Sequence, residues 1–284
     1  MNNGTKSVSP ILLLILAISF VGMGSCVQKE IPDRKGQTMR LNDIPESSWR
    51  RLESKKIFFG HQSVGYNIVE GMKDLIRENS SVRLNIVESA DPASYEGPVF
   101  GHWKVGKNGD PGSKCDAFRD YLEKGIGEKA DIAFFKFCYV DVDNETDIRA
   151  LFDRYDEGIH RIKKRYPHLR IIHVTAPLMV EGTDFKTTIK RWLGRKDRWY
   201  QANERRNRLN EMIRQEYAGK APIYELDRVE STTPGGARTR VKGTGGDYFE
   251  LFPGYTIDGG HLNEEGRKAA AAELLVLLAS ISDE

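Results

Sequence analysis

The sequence is short of the residues on which several protein classes depend. Three cysteines in 284 residues are too few for a disulfide-built scaffold. Six histidines include no pair at zinc-site spacing, and Cys115 and Cys138 lack the close pairing of metal-binding cysteines. No metal or other cofactor is therefore expected. Excess charge is missing too: 43 basic against 41 acidic side chains leave a formal +2, which argues against nucleic-acid binding through bulk electrostatics. No phosphate-cradling motif and no cluster of metal-binding carboxylates stands out, which disfavours phosphoryl transfer. No internal repeat or low-complexity tract is present. What is there is ordinary for a globular domain with a sizeable core, with 39% hydrophobic and 30% charged residues.

The one long apolar run, Pro10 to Met23, falls short of the about 20 residues a membrane span needs. Lys6 precedes it and Met23-Gly24-Ser25-Cys26 closes it, the layout of a secretory signal. Cys26 after Gly-Ser resembles the lipobox of bacterial lipoproteins, in which that cysteine becomes the lipidated first residue. The resemblance implies a signal over residues 1–25 and a lipid anchor at Cys26, so that the protein is an exported, membrane-anchored lipoprotein of the cell envelope. Residues 26–54, polar and holding Pro32 and Pro45, read as a tether. The folded domain is then expected over 55–284.

Within that domain strand-length apolar runs alternate with helical periods. Lys56-Ile57-Phe58-Phe59, Val82 to Val87, Ile132 to Cys138, Ile171 to Val174 and Ile223 to Leu226 read as strands. The intervening helices are expected over 64–76, 147–165 and 198–217, with a last one over 264–280. Alternation of this kind implies right-handed crossovers: an α/β three-layer sandwich, α/β/α, with a central parallel sheet of about five strands. Ligands of such sheets bind at the carboxyl ends of the strands.

Residues with chemical potential sit at those ends. His61-Gln62-Ser63-Val64-Gly65 follows the first strand, and Asn108-Gly109-Asp110 lies in a loop before the third. Tyr139-Val140-Asp141 and Asn144 follow the strongest strand, and Asp258-Gly259-Gly260-His261 precedes the last helix. Serine is a poor nucleophile at neutral pH and needs a positioned base, and an Asp three residues before a His can orient that base. Ser63 alone would more simply cap the helix that follows it, and His261 alone would be a helix-start histidine. Together with Asp258 they favour a catalytic triad.

These blocks resemble the SGNH (GDSL-type) hydrolase superfamily from Phe58 to Leu275. Asp258, His261 and Leu262 match its last block, Ser63 takes the nucleophile position, and Gly109 takes that of the second-block glycine. The resemblance implies an SGNH-hydrolase, flavodoxin-like fold and metal-free ester hydrolysis, with Gly109 N–H and Val64 N–H in the oxyanion hole. Two departures are plain. His61-Gln62-Ser63 replaces Gly-Asp-Ser, and Val140 stands where the third block carries an oxyanion-donating Asn. Candidate substitutes or substrate contacts are His61, Gln62, Asn108, Tyr139 and Asn144. The expected substrate is an O-acyl ester of an envelope carbohydrate. The alternatives are an acyltransferase on an envelope glycan and a non-catalytic carbohydrate-binding protein on the same scaffold.

Three further features are open to more than one reading. Lys136, between Phe135 and Phe137, is expected to support the third loop with Asp141 as a candidate partner. Cys115 and Cys138 are either a disulfide or two separate thiols. The basic stretch from Glu181 to Arg206, with Trp192, Trp199 and Tyr200, is a solvated excursion or a surface for a glycan or anionic lipid.

Overall fold

The computed structural model describes residues 1, 41–79, 81–181, 202–243 and 246–282. Cys26 and the aromatic part of the basic stretch lie outside the described residues. The central sheet is parallel and runs β2-β3-β1-β4-β5, formed by β1 (Lys56–His61), β2 (Ile86–Glu88), β3 (Val99–Lys104), β4 (Ile132–Phe135) and β5 (Arg170–Ile171). The segment continues past Ile172 into β6 (His173–Val174), which pairs with β7 (Ile223–Tyr224). Ile172 N–H still donates to Ala133 of β4 while His173 N–H donates to Pro222, so residues 170–174 bridge β4 and β7. Without the edge strand β2, the order β3-β1-β4-β5/β6-β7 is the 2-1-3-4-5 order of doubly wound sheets. The five-stranded parallel sheet matches the sequence-based expectation.

Period-two alternation splits the sheet's side chains between two cores. Phe59, Phe100 and Phe134 face one side, together with α1 (Glu46–Glu53), α2 (Val64–Glu78) and the last helix, α7 (Glu264–Ile281). Phe58, Ala133 and Phe135 face the other, with α3 (Pro111–Tyr121), α4 (Ile148–Arg165) and α5 (Asn203–Tyr217). Each buried Phe or Leu contributes about 1.5–3 kcal/mol of transfer free energy. The two faces together hold the strand ends rigidly enough to carry a site.

Three expectations change. The folded unit begins before residue 55: Ile44, Trp49 and Leu52 are buried in the first core, so residues 41–54 are part of the domain rather than tether. An amphipathic helix as short as α1 is hard to see in a polar stretch. The strand expected over 82–87 is confined to Ile86–Glu88, although Val82 is buried. The segment after β7 turns into the short helix α6 (Leu226–Ser231) instead of extending the strand. Cys115 and Cys138 are both buried free thiols. Among the described residues no helix is long and apolar enough to cross a membrane.

Candidate active site

The carboxyl end of β1 delivers Ser63 through a turn the chain makes at a conformational cost. Ser63 has φ 53° and ψ −114° and is the non-glycine residue of positive φ among the described residues. Such a conformation costs of the order of ~1–3 kcal/mol. It is held because the first turn of α2 lies directly on His61: a Cβ on Gly65 would sit 2.3 Å from that of His61. Ser63 occupies the N-cap position of α2, yet its side chain makes no capping bond. Its hydroxyl is instead 2.7 Å from His261 Nε2. The capping role that would explain a lone serine is thus not the one it performs.

His261 and Asp258 lie in the loop before α7. Asp258 Oδ1 accepts the backbone N–H of Gly260 (3.0 Å) and of His261 (2.8 Å). Its Oδ2 is 2.6 Å from His261 Nδ1. Burial pushes the Asp258 carboxyl up, but those bonds and the His261 ring outweigh it and hold the carboxyl down at about 2. An ionised carboxylate can only accept, so the proton of the neutral imidazole belongs on Nδ1. That leaves the Nε2 lone pair facing the Ser63 hydroxyl. Asn263 caps α7 through Gly266 N–H at 3.0 Å and so fixes where the loop ends. Asn67, one turn after Ser63, accepts Leu262 N–H at 3.1 Å, tying the helix behind Ser63 to the loop of His261.

The other predicted site residues divide sharply. Gly109 N–H, expected in the oxyanion hole, donates to Asp141 Oδ1 at 2.9 Å. Asp141 is a buried hub: Oδ2 takes Lys114 Nζ at 2.6 Å and Cys138 N–H at 2.6 Å. Lys114 Nζ also donates to Asn108 Oδ1 at 2.9 Å, so Asn108 helps to hold the loop. The buried cation beside Asp141 is therefore Lys114. Lys136 donates to the Phe137 carbonyl at 3.1 Å, and burial lowers the pKa of its ammonium. Gln62 Nε2 donates to Val105 and Gly106 carbonyls at 2.8 and 2.5 Å, which fixes the β3–α3 loop instead of facing a substrate. His61 is fully buried and pairs with His102 at 3.0 Å, so neither is a substrate contact. Asn144 is exposed in a turn.

Two predicted residues do meet the triad. Val64 heads α2; Gly65 and Tyr66 N–H are bonded to the Gln62 and Ser63 carbonyls, and Val64 N–H is one of the first-turn donors that a helix cannot bond internally. Tyr139 Oη lies 3.4 Å from His261 Nε2 and 3.5 Å from Nδ1, with its ring edge-on to the imidazole. Sequence reasoning missed Asn67, Lys114 and Arg206. Arg206, fully buried, donates to the Tyr139 carbonyl at 2.9 Å and to the Val142 carbonyl at 3.2 Å, holding the turn after β4 in place. Nothing in a charged helix sequence distinguishes this arginine from its exposed neighbours.

No protein-family profile and no curated protein matches the chain. Among solved structures, a candidate acylhydrolase from Bacteroides fragilis is similar with TM-score 0.52 at 14% identity, over 80% of this chain and 88% of that one. A GDSL-like lipase from Bacteroides thetaiotaomicron reaches TM-score 0.47 at 15% identity, over 81% of this chain and 89% of its own. The periplasmic domain of a Salmonella Paratyphi A lipopolysaccharide acetyltransferase reaches 0.46 at 15%, over 78% and 83%. At these identities the likeness concerns architecture. The fold is the three-layer α/β fold of the GDSL, or SGNH-type, acylhydrolases.

Proposed function

We propose that the chain is a divergent SGNH hydrolase that cleaves esters with Ser63 as nucleophile. The single observation that carries this is the continuous chain Ser63 Oγ–His261 Nε2, 2.7 Å, and His261 Nδ1–Asp258 Oδ2, 2.6 Å. On this reading His261 takes the Ser63 proton as Oγ attacks the ester carbonyl, and returns it to the leaving alcohol; water then repeats the sequence on the acyl-enzyme. Asp258 keeps the imidazole in the required tautomer and stabilises its charged form.

The proposed substrate is an O-acyl ester on an envelope carbohydrate, a preference that rests on the export signal and Cys26 of the sequence. The intact triad supports chemistry over binding alone. The test is hydrolysis of 4-nitrophenyl acetate by the wild type and Ser63→Ala, with mass-spectrometric location of a fluorophosphonate label. The expected outcome is loss of turnover in Ser63→Ala by at least about 10³-fold and a label on Ser63. Equal turnover in the two proteins removes Ser63 as nucleophile.

A further inference from the structure

An ester hydrolase needs hydrogen-bond donors where the carbonyl oxygen gains charge, and two expected donors are missing from that task. Val140 has no donating side chain and packs against the first core. Gly109 N–H is bonded to Asp141, whose carboxylate is held from the other side by Lys114 with both side chains 0% exposed. Freeing that N–H would remove one of three donors from a buried carboxylate, which such a group resists. Gln62 is likewise bonded elsewhere, and His61 is fully buried against His102.

We propose that the Tyr139 hydroxyl is the side-chain donor of the oxyanion hole, acting with Val64 N–H, and that Gly109 N–H takes no part. The inference rests on the proposed esterase reading. Tyr139 Oη stands at the reacting side chains: it is 3.4 Å from His261 Nε2, the nitrogen that meets Ser63 Oγ at 2.7 Å. Its near-equal distances to the two imidazole nitrogens leave it off the axis of the Nε2 lone pair, so it is no competitor for the proton that His261 takes. Burial, aided by the nearby Asp258 charge, pushes the phenol above its ordinary value. It therefore stays protonated and able to donate. Its position is fixed at both ends. Arg206 holds its carbonyl, and its ring lies so close to Gly260 that a Cβ there would be 2.8 Å from Cζ.

In the reaction the Ser63 Oγ–carbon bond forms, the Oγ proton moves to His261 Nε2, and the carbonyl π pair moves onto the oxygen. Tyr139 O–H turns to that oxyanion and donates a hydrogen bond without giving up its proton. The interaction strengthens only as charge develops, which is the condition for raising rate over ground-state binding.

Tyr139→Phe removes the hydroxyl and keeps the ring. With 4-nitrophenyl acetate, kcat is expected to fall about 10²–10³-fold at little-changed KM and by the same factor across the pH range in which the wild-type phenol stays protonated. The Ki of trifluoroacetone, which adds to the serine as an anionic hemiketal, is expected to rise by the same factor as kcat/KM falls. A kcat close to wild type, a loss confined to KM, or a displaced acid limb overturns the proposal. Tyr139→3,5-difluorotyrosine keeps the shape and acidifies the phenol, and guards against a Tyr139→Phe chain that does not fold. Its activity is expected to fall off at lower alkaline pH than that of the wild type, and an unmoved alkaline limb counts against the donor. Ser63→Ala measured alongside separates the two readings. Full turnover there refutes the esterase itself, whereas an inactive Ser63→Ala with an unimpaired Tyr139→Phe refutes the tyrosine alone.

Discussion

Lys114→Met tests whether the site's loops are held together by one buried ion pair. Lys114 and Asp141 meet at 2.6 Å with both side chains 0% exposed, and the carboxylate also accepts Gly109 N–H and Cys138 N–H. Methionine keeps the length and apolar stem of lysine and deletes the charge, leaving Asp141 buried with two backbone donors. Removing one partner of a buried pair costs about 3–5 kcal/mol. For a domain of this size about 2–4 °C of Tm accompanies each kcal/mol, so the expected loss is about 6–20 °C. Lys114→Met/Asp141→Asn is expected to lose less than Lys114→Met alone. The neutral amide no longer needs a counter-charge, although Cys138 N–H then faces an imperfect acceptor at a cost of about 1–3 kcal/mol. The assay is thermal unfolding followed by circular dichroism, with ester hydrolysis measured well below the lower Tm. Because Asp141 ties the Gly109 loop to the turn carrying Tyr139, hydrolysis is expected to fall in the single variant even where it is folded. A Tm within about 2 °C of wild type, less than the change that 1 kcal/mol brings, refutes the view that this pair organises the loops.

Two other outcomes follow from the site and the sequence. Asp258 is ionised more readily folded than unfolded, about 2 against the usual 3.8, so its contribution to stability is present above pH 3.8 and lost as pH falls through about 2. At full weight this is about 2.5 kcal/mol, and with the side chain 37% exposed solvent screening reduces it to about 1 kcal/mol. Urea unfolding from pH 6 to pH 2 should show that increment in the wild type and not in Asp258→Asn; identical pH slopes would contradict it. The proposal that the chain is lipidated predicts that labelled palmitate is incorporated into the wild type and not into Cys26→Ser, and that the variant moves to the soluble fraction. Label retained by Cys26→Ser would place the lipid on another residue.

The sequence made the sheet legible because its strands are apolar runs at predictable spacing and its helices carry regular apolar faces. It made the triad legible because Asp258 and His261 are close in sequence and Ser63 sits at a strand end. The parts it concealed are long-range and polar. The bond from Asn67 to Leu262 spans 195 residues, and Arg206 reaches the turn after β4 from a helix indistinguishable from a solvated one. Lys114 reads as a surface lysine near a loop, and only its burial shows that it, not Lys136, answers Asp141. Gly109 misled for the same reason. Its place between the strands marked it as a donor to substrate, while the acceptor it has taken lies 32 residues further on.

The departures from the SGNH pattern fall on one side of the site and compensate one another. The side that activates the nucleophile is complete, with Asp258, His261 and Ser63 in contact. On the other side, Val140 occupies the place of the expected asparagine in the 3-10 turn Tyr139–Asp141, where adjacent residues point in different directions. Val140 turns to the sheet core, and Tyr139 turns to His261. A tyrosine reaches further than an asparagine and presents one hydroxyl without an amide carbonyl that would repel the oxyanion. Gly260 makes room for the ring, Arg206 fixes its backbone, and the Asp141 hub secures the turn from beneath. A valine alone at that position would point to a decayed enzyme. A valine accompanied by a buried tyrosine, the glycine that accommodates it and the arginine that holds it points to a site rebuilt around a different donor.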